Sequence, residues 1–252
     1  MTFNLPPVSV ATLLATFDRR ARSVTSMAET YGVIPIAGCS PWTTLDLLAH
    51  LGRVYAMVDA TVTEEAREPL PPGPEAQAPS TTDIGSLLEW YELRRMGVTR
   101  TLSECDPQRP VWTWGPPGVN GFYIRRMAHE TTVHLLDLDP QHVVIDGQGD
   151  RDVLLDGIDE FFTVVLTGSV QRRGKPAPQG SLHLHCTDGP GEWLVSVSDT
   201  GSIDVRHEHA KGDVAWRASA QDLFATVWGR SRSEVEVLGD PEVSRQWSTV
   251  AP

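Results

Sequence analysis

The stretch RRMAHETTVHLLD, residues 125–137, has the spacing of an α-helix that carries metal-binding residue types on one side. Glu130 and His134 are four residues apart, so their side chains project from one helical face about one turn apart. His50 lies near the end of an earlier apolar segment, CSPWTTLDLLAHLG, residues 39–52. Because ligands on facing helices of a bundle converge in its core, His50, Glu130 and His134 form a candidate site for a divalent ion with one open position. The spacing alone also fits a solvated Glu and His pair and a structural His50.

Four helices are predicted for the first 140 or so residues, because apolar residues recur there at helical spacing. They run from Val10 to a stop at Gly32, from Thr43 into the sixties, from near Asp83 toward Cys105, and from about Gly121 to Leu136. Thr43 and Asp46 stand in the relation of an N-cap and its N3 carboxylate, and Asn120 is placed to cap the fourth helix. The pattern predicts a helical bundle.

The second part of the chain has a different pattern, with one helical stretch followed by short alternating runs. These runs are SLHLHC, EWLVSVS, SIDVRH and DVAWRAS, and they precede a helix, AQDLFATVWG, a short strand, VEVLG, and a terminal helix. We therefore predict two domains, a helical bundle at residues 1–148 and a smaller α+β domain at residues 149–252.

The charge of the chain disfavours two classes of partner. Its 21 basic and 33 acidic residues give a net charge of -12, which repels both a nucleic-acid backbone and an anionic membrane surface. No run is long enough to span a bilayer, and the start of the chain does not have the pattern of a secretory signal. Three widely spaced cysteines fit a reducing compartment better than a disulfide framework, so we expect a cytoplasmic protein without nucleic-acid or membrane partners.

The segments at residues 39–52 and 125–137, taken together, resemble the two signature segments of the mycothiol-dependent maleylpyruvate isomerase family. That family belongs to the DinB-like metalloenzyme superfamily. The resemblance implies a fold of class α plus α+β, with a DinB-like four-helix bundle followed by a sterol carrier protein-like domain. It also implies that His50, Glu130 and His134 bind zinc, or another divalent metal such as nickel, because all three match the family's ligand positions.

The resemblance further implies that mycothiol, a low-molecular-weight thiol, is the cofactor or co-substrate. A metal with an open position depresses the pKa of a bound thiol, so that the nucleophilic thiolate is present near neutral pH. An isomerase would add the thiolate to a cis double bond, allow rotation and release it. An S-transferase would release the adduct. The expected partners are this thiol and a small electrophile, and the protein is expected to be a monomer or a homodimer.

Further site residues are expected around the metal. Arg230, in VWGR, aligns with an arginine that the family's C-terminal domain contributes to the active site, and such a guanidinium could hold a substrate carboxylate. A cation near a helix C-terminus is the equal alternative. Trp112 and Trp114 are expected to wall the cavity, with core packing as the alternative. Arg125 and Arg126 are expected to meet anionic groups of the thiol or substrate, with solvation at the surface as the alternative for at least one of them.

Three other residues of these two segments, His129, Asp137 and Cys39, carry side chains that can bind metals or hydrogen-bond to a ligand. His129 lies five residues before His134, which rotates the two apart on a helix, so we exclude His129 as a ligand. Asp137 is either an acceptor for the His134 imidazole or simply the helix end. Cys39 is expected to be a small buried hydrophobe.

A second histidine group consists of His183 and His185 on one predicted strand and of His207 and His209 on another. Leu182, Leu184 and Cys186 would occupy the core face of the first strand, which predicts that the histidines face solvent. A metal site is the alternative if the strands pair in register.

Two other functions are compatible with the sequence. A metal-dependent hydrolase would use the open position to activate water instead of a thiol. A non-catalytic small-ligand binding protein would enclose an apolar ligand, but such a protein has no evident need for three metal ligands. The sequence does not define the physiological electrophile, because that pocket is left to variable loops.

Overall fold

The structure is a computed structural model that describes residues 7–140, 145, 149–173, 177–198, 200–230 and 235–250. The chain divides into two compact units, of which one spans Ser9–His142 and the other consists of Met1–Val8 and Val143–Pro252. The predicted boundary after residue 148 stays a prediction, because residues 146–148 lie outside the described ranges. Among the described helices, none is both long and apolar enough to cross a bilayer.

The first unit is a bundle of four long helices, as predicted. They are α1 (Val10–Tyr31), α2 (Thr44–Thr63), α3 (Ile84–Glu104) and α4 (Asn120–Leu138). Helix α1 packs mainly on α4, and α2 packs mainly on α3. Fully buried aromatic rings fill the centre, where Phe17 meets Tyr55 edge-on with ring centroids 5.4 Å apart. This core holds α2 and α4 in fixed positions, and these are the helices that carry the predicted metal ligands.

The start of α2 follows the prediction. The Asp46 carboxylate accepts hydrogen bonds from both the backbone N–H and the hydroxyl of Thr43, each at 2.8 Å. These bonds satisfy donors that the first turn would otherwise leave unpaired, and they fix where α2 begins. The start of α4 differs, because Val119 is its N-cap and Asn120 is its first helical residue. The Asn120 amide instead donates to the backbone carbonyl of Asp106 at 3.0 Å, so it anchors the preceding loop.

The second unit contains four helices and five strands in its described residues. Helix α5 (Asp150–Glu160) continues through a π-helical segment (Phe161–Leu166) into α6 (Thr167–Arg173). The strands are β1 (Leu182–Cys186), β2 (Glu192–Val197), β3 (Ile203–Arg206), β4 (Val214–Ala218) and β5 (Glu236–Gly239). Helix α7 (Ala220–Val227) lies between β4 and β5, and α8 (Pro241–Ser248) follows β5. The predicted α+β class is confirmed.

The five strands form one sheet in the order β3-β2-β1-β4-β5, in which β1 and β4 are parallel and the other pairs antiparallel. Leu182, Leu184 and Cys186 are buried on one face of β1, as predicted. His183 and His185 therefore project from the opposite face. The prediction that these histidines face solvent is wrong for His183, which is 6% exposed because Glu192 of the neighbouring strand packs against it.

Candidate active site

Helices α2 and α4 bring the three predicted metal ligands together. Nε2 of His50 lies 2.9 Å from Oε1 of Glu130, and Nε2 of His134 lies 3.4 Å from the same oxygen. One nitrogen or oxygen atom from each of the three residues lies within 4.8 Å of the others. The four-residue spacing on α4 produces the Glu130 and His134 pair, and the packing of the bundle adds His50 from α2.

A second layer of polar side chains fixes the His134 ring. Its Nδ1 lies 2.8 Å from Oδ2 of Asp137, which also accepts a hydrogen bond from the Cys39 thiol at 3.3 Å. Burial alone would lower the pKa of His134, but its bonds to Asp137, Cys39 and Glu130 raise it well above the ordinary value. Asp137 is thus an acceptor for the imidazole, and the expectation that Cys39 is only a small hydrophobe is wrong, because its thiol is hydrogen-bonded.

Arg126 holds the other side of the Glu130 carboxylate. Its guanidinium donates to Oε2 of Glu130 at 2.7 Å, and the two residues lie one turn apart on α4. Burial alone would raise the pKa of Glu130, but the charge of Arg126 and hydrogen bonds from His134 and His50 hold it well below the ordinary value. The carboxylate is therefore ionised, and Oε1 faces the two imidazoles while Oε2 faces the guanidinium.

Trp42 covers the two histidines, although the sequence did not single it out. Its ring lies 5.1 Å from the His50 ring and is stacked on the His134 ring at 6.1 Å between centroids. Trp42 and Cys39 both precede α2, in the same quoted segment as His50. The sequence signal that could have found Trp42 is its position in the same segment as His50, residues 39–52.

A cavity of about 210 Å³ in the first unit is lined by Glu130, one of the three cluster residues. The residues that line it include Met57, Trp112, Trp114, Tyr123, Arg126 and Glu130. It adjoins a larger open cavity of about 530 Å³ that shares Met57, Thr61 and Trp112 with it but contains none of the three cluster residues. Three of the predicted cofactor-binding residues thus line the cavity that ends at Glu130.

The walls of this cavity are held by their own contacts. The Tyr123 hydroxyl donates to the backbone carbonyl of Trp112 at 2.8 Å, and Trp114 packs edge-on against Phe122 at 5.1 Å between ring centroids. Arg126 is 5% exposed, so its charge is largely shielded from bulk water. An anionic group that enters the cavity would meet the Arg126 guanidinium together with the Glu130 carboxylate that is paired with it.

Two other residues considered from the sequence lie outside the cluster. His129 is fully buried on α4 and does not belong to any group of metal-binding side chains in the described part of the chain. Arg230 follows α7 in the second unit, and its guanidinium donates to the backbone carbonyl of Trp228 at 2.6 Å. Its role in substrate binding stays a prediction.

Comparison with known proteins adds two findings at the level of sequence. Residues 10–139, just over half of the chain, match the profile of the mycothiol maleylpyruvate isomerase N-terminal domain. Residues 152–245 match the profile of the C-terminal domain of the same proteins. A search of curated proteins finds no match.

Two solved structures share the fold. One is a histidine-to-alanine mutant of mycothiol-dependent maleylpyruvate isomerase, with a TM-score of 0.63 and 15% identity. The other is mycothiol-dependent maleylpyruvate isomerase itself, with a TM-score of 0.61 and 14% identity. Each alignment covers 93% of this chain and 96% of the other chain, so the similarity of fold includes both units.

Proposed function

Because the chain belongs to the mycothiol maleylpyruvate isomerase family, we propose that it is a metal-dependent enzyme that uses mycothiol on a small electrophilic substrate. The reaction would be isomerisation of a substrate such as maleylpyruvate, or transfer of the thiol to the electrophile. The observation that carries the proposal is the convergence of His50, Glu130 and His134, of which Glu130 also lines a cavity of about 210 Å³.

The donor set of this cluster fits a divalent metal. Two imidazole nitrogens and one carboxylate oxygen suit zinc, with nickel as an alternative, and leave room for a further ligand. His50, Glu130 and His134 would hold the ion. When bound, it would lower the pKa of a coordinated thiol so that the thiolate is available near neutral pH.

The surrounding residues prepare the cluster for this role. Asp137 accepts the Nδ1 proton of His134, which leaves Nε2 of that ring as the free donor atom. Arg126 keeps Glu130 ionised and oriented. Trp42 covers the two imidazoles and limits the access of water to them from its side.

The cavity at Glu130 is suited to a small electrophile that bears a carboxylate. Its Met57, Trp112 and Trp114 side chains offer apolar and aromatic surface, and Arg126 offers a shielded cation. The adjoining cavity of about 530 Å³ gives room for the remainder of the thiol. We further propose that Arg230 binds a substrate carboxylate, since a guanidinium can hold both carboxylate oxygens at once.

Calorimetric titration of mycothiol into the zinc-loaded protein tests the proposal. We expect saturable binding to the wild type and no binding to Glu130→Gln or His134→Ala, because each variant loses a metal ligand. His207→Ala is the matched control, since His207 lies in the second unit and contacts Asp159. Equal binding of mycothiol to Glu130→Gln and to the wild type would overturn the proposal.

A product assay with maleylpyruvate separates the proposed function from its rivals. Isomerisation that requires both metal and mycothiol supports an isomerase, and a thiol adduct as the final product supports a transferase. Product that forms with metal but without thiol would support the hydrolase instead. Ligand binding that survives removal of the metal would support a non-catalytic binding protein.

A further inference from the structure

A second group of metal-binding residue types lies on the sheet of the second unit, far along the chain from the first cluster. His183 and His185 are alternate residues of β1, so both project from the face opposite the buried Leu184. The antiparallel register pairs His185 with Glu192, the first residue of β2. Directly paired side chains of neighbouring strands lie within contact distance, which places the carboxylate beside both imidazoles.

The segment after β3 completes the group. Oε2 of Glu192 lies 2.5 Å from Nε2 of His183, and Oε1 lies 2.5 Å from Nδ1 of His185. His209 places its Nδ1 3.2 Å from Oε1 of the same carboxylate. One nitrogen from each histidine and one oxygen of Glu192 all lie within 4.8 Å of one another.

The group is buried on one side and accessible on the other. The side chains of His183 and Glu192 are 8% and 16% exposed, whereas that of His209 is 65% exposed. A cavity of about 320 Å³ is bounded by His183, His209 and Lys211, among other residues, and reaches the cluster from solvent. An ion therefore has a path to the buried histidine, and His209 can adjust its position as the ion enters.

The chemistry of the four side chains matches a tetrahedral zinc site. Burial would raise the pKa of Glu192, but hydrogen bonds from His183, His185 and His209 hold it below the ordinary value, so the group contains one carboxylate. Ligands at about 2.1 Å from a tetrahedral zinc ion lie roughly 3.4 Å from one another. The 3.2 Å contact of His209 already has this separation, and each 2.5 Å contact needs to open by less than about 1 Å.

We propose that His183, His185, Glu192 and His209 form a second metal site, which binds zinc with four protein ligands. Three imidazoles and one carboxylate complete a tetrahedral coordination shell, and closed shells of this kind are typical of structural sites. The ion would tie β1, β2 and the segment after β3 together and so stabilise the centre of the sheet. This site shares no residue with the first cluster, and the proposal does not depend on the proposed enzymatic function.

Zinc binding to the full-length protein tests the second site. The protein is freed of metal with a chelator, titrated with zinc alone and analysed for bound metal after removal of excess ion. We expect two equivalents for the wild type, one for His134→Ala, one for His209→Ala and none for the double variant. Without His209 the second site is open to solvent on that side, so we expect it to release its ion when excess zinc is removed. His207→Ala is the control and should retain two equivalents, since His207 contacts Asp159. Because His209 is largely exposed, its replacement leaves the folded core intact.

Thermal unfolding provides a second readout. Zinc should raise the Tm of His134→Ala, in which only the second site remains, and should leave the Tm of the double variant unchanged. Folded His134→Ala that takes up no zinc would overturn the second site and leave the first intact. The opposite result, a single wild-type equivalent that is lost in His209→Ala and kept in His134→Ala, would support the second site and count against the first.

Discussion

Replacement of Asp137 by asparagine is expected to weaken zinc binding at the first cluster without unfolding the bundle. The Asp137 carboxylate accepts from Nδ1 of His134 at 2.8 Å, and its side chain is fully buried. A hydrogen bond to a charged acceptor contributes about 1.5–3 kcal/mol, and one between neutral groups about 0.5–1.5 kcal/mol. Asparagine keeps the shape of the side chain and loses its charge, so the hydrogen bond to His134 weakens by about 1–2 kcal/mol. This corresponds to roughly a 5- to 30-fold weaker affinity of the first cluster for zinc.

The affinity is measured by competition with a chromophoric zinc chelator in the His209→Ala background, which removes a ligand of the second site. Asp139→Asn is the matched control, because Asp139 lies at the same end of α4 and contacts the Tyr31 hydroxyl. We expect the control to bind zinc as the His209→Ala protein does. An Asp137→Asn variant with unchanged zinc affinity would refute the argument that this carboxylate orients and strengthens the His134 ligand.

Three further predictions concern stability and reactivity. Gly52→Ala should lower the free energy of unfolding by about 1–2 kcal/mol, because the added Cβ would stand 2.1 Å from the Trp90 ring and the gain in helix propensity offsets only part of the repacking. Arg95→Met should lower the free energy of unfolding, measured by chemical denaturation, by about 2–3 kcal/mol. The loss is smaller than for a fully buried ion pair, because Arg95 is buried but its partners Glu92 and Asp18 are 30% exposed. Cys186 should resist iodoacetamide at neutral pH until the protein unfolds, because burial raises the pKa of its thiol to about 12.

Each stability prediction has a matched control. Gly97→Ala should change stability by less than about 0.5 kcal/mol, because its Cβ would meet only the end of the Asp59 side chain. Arg22→Met should cost less than about 1 kcal/mol, because Arg22 is 63% exposed and makes a single ion pair with Asp18. A Gly52→Ala protein as stable as Gly97→Ala would contradict the argument from the Trp90 ring. Equal losses of stability in Arg95→Met and Arg22→Met would contradict the argument from the burial of Arg95. Rapid alkylation of folded Cys186 would contradict the argument from the burial of its thiol.

Local patterns predicted the elements well, because the deciding interactions lie close together in the sequence. The Thr43 and Asp46 contacts at the start of α2 span three residues. The face shared by Glu130 and His134 follows from helical geometry alone. Strand alternation likewise placed Leu182 and Leu184 on the buried side of β1.

The contacts that the sequence did not predict depend on residues distant in the chain. Cys39 reaches Asp137 only because the segment before α2 packs against the end of α4. His183 is buried because strand register brings Glu192 against it, whereas alternation indicates only which face a side chain occupies. Asn120 similarly binds a carbonyl 14 residues earlier instead of capping its own helix.

The contact between Arg126 and Glu130 also restricts the denticity of the carboxylate. Because the guanidinium binds Oε2, Oε1 is the carboxylate oxygen that faces the two imidazoles and that would be available to an ion. A carboxylate that binds through one oxygen takes up one coordination position, whereas a chelating carboxylate takes up two. Arg126 would thereby leave one coordination position of a bound ion open to an exchangeable ligand, without being a ligand itself.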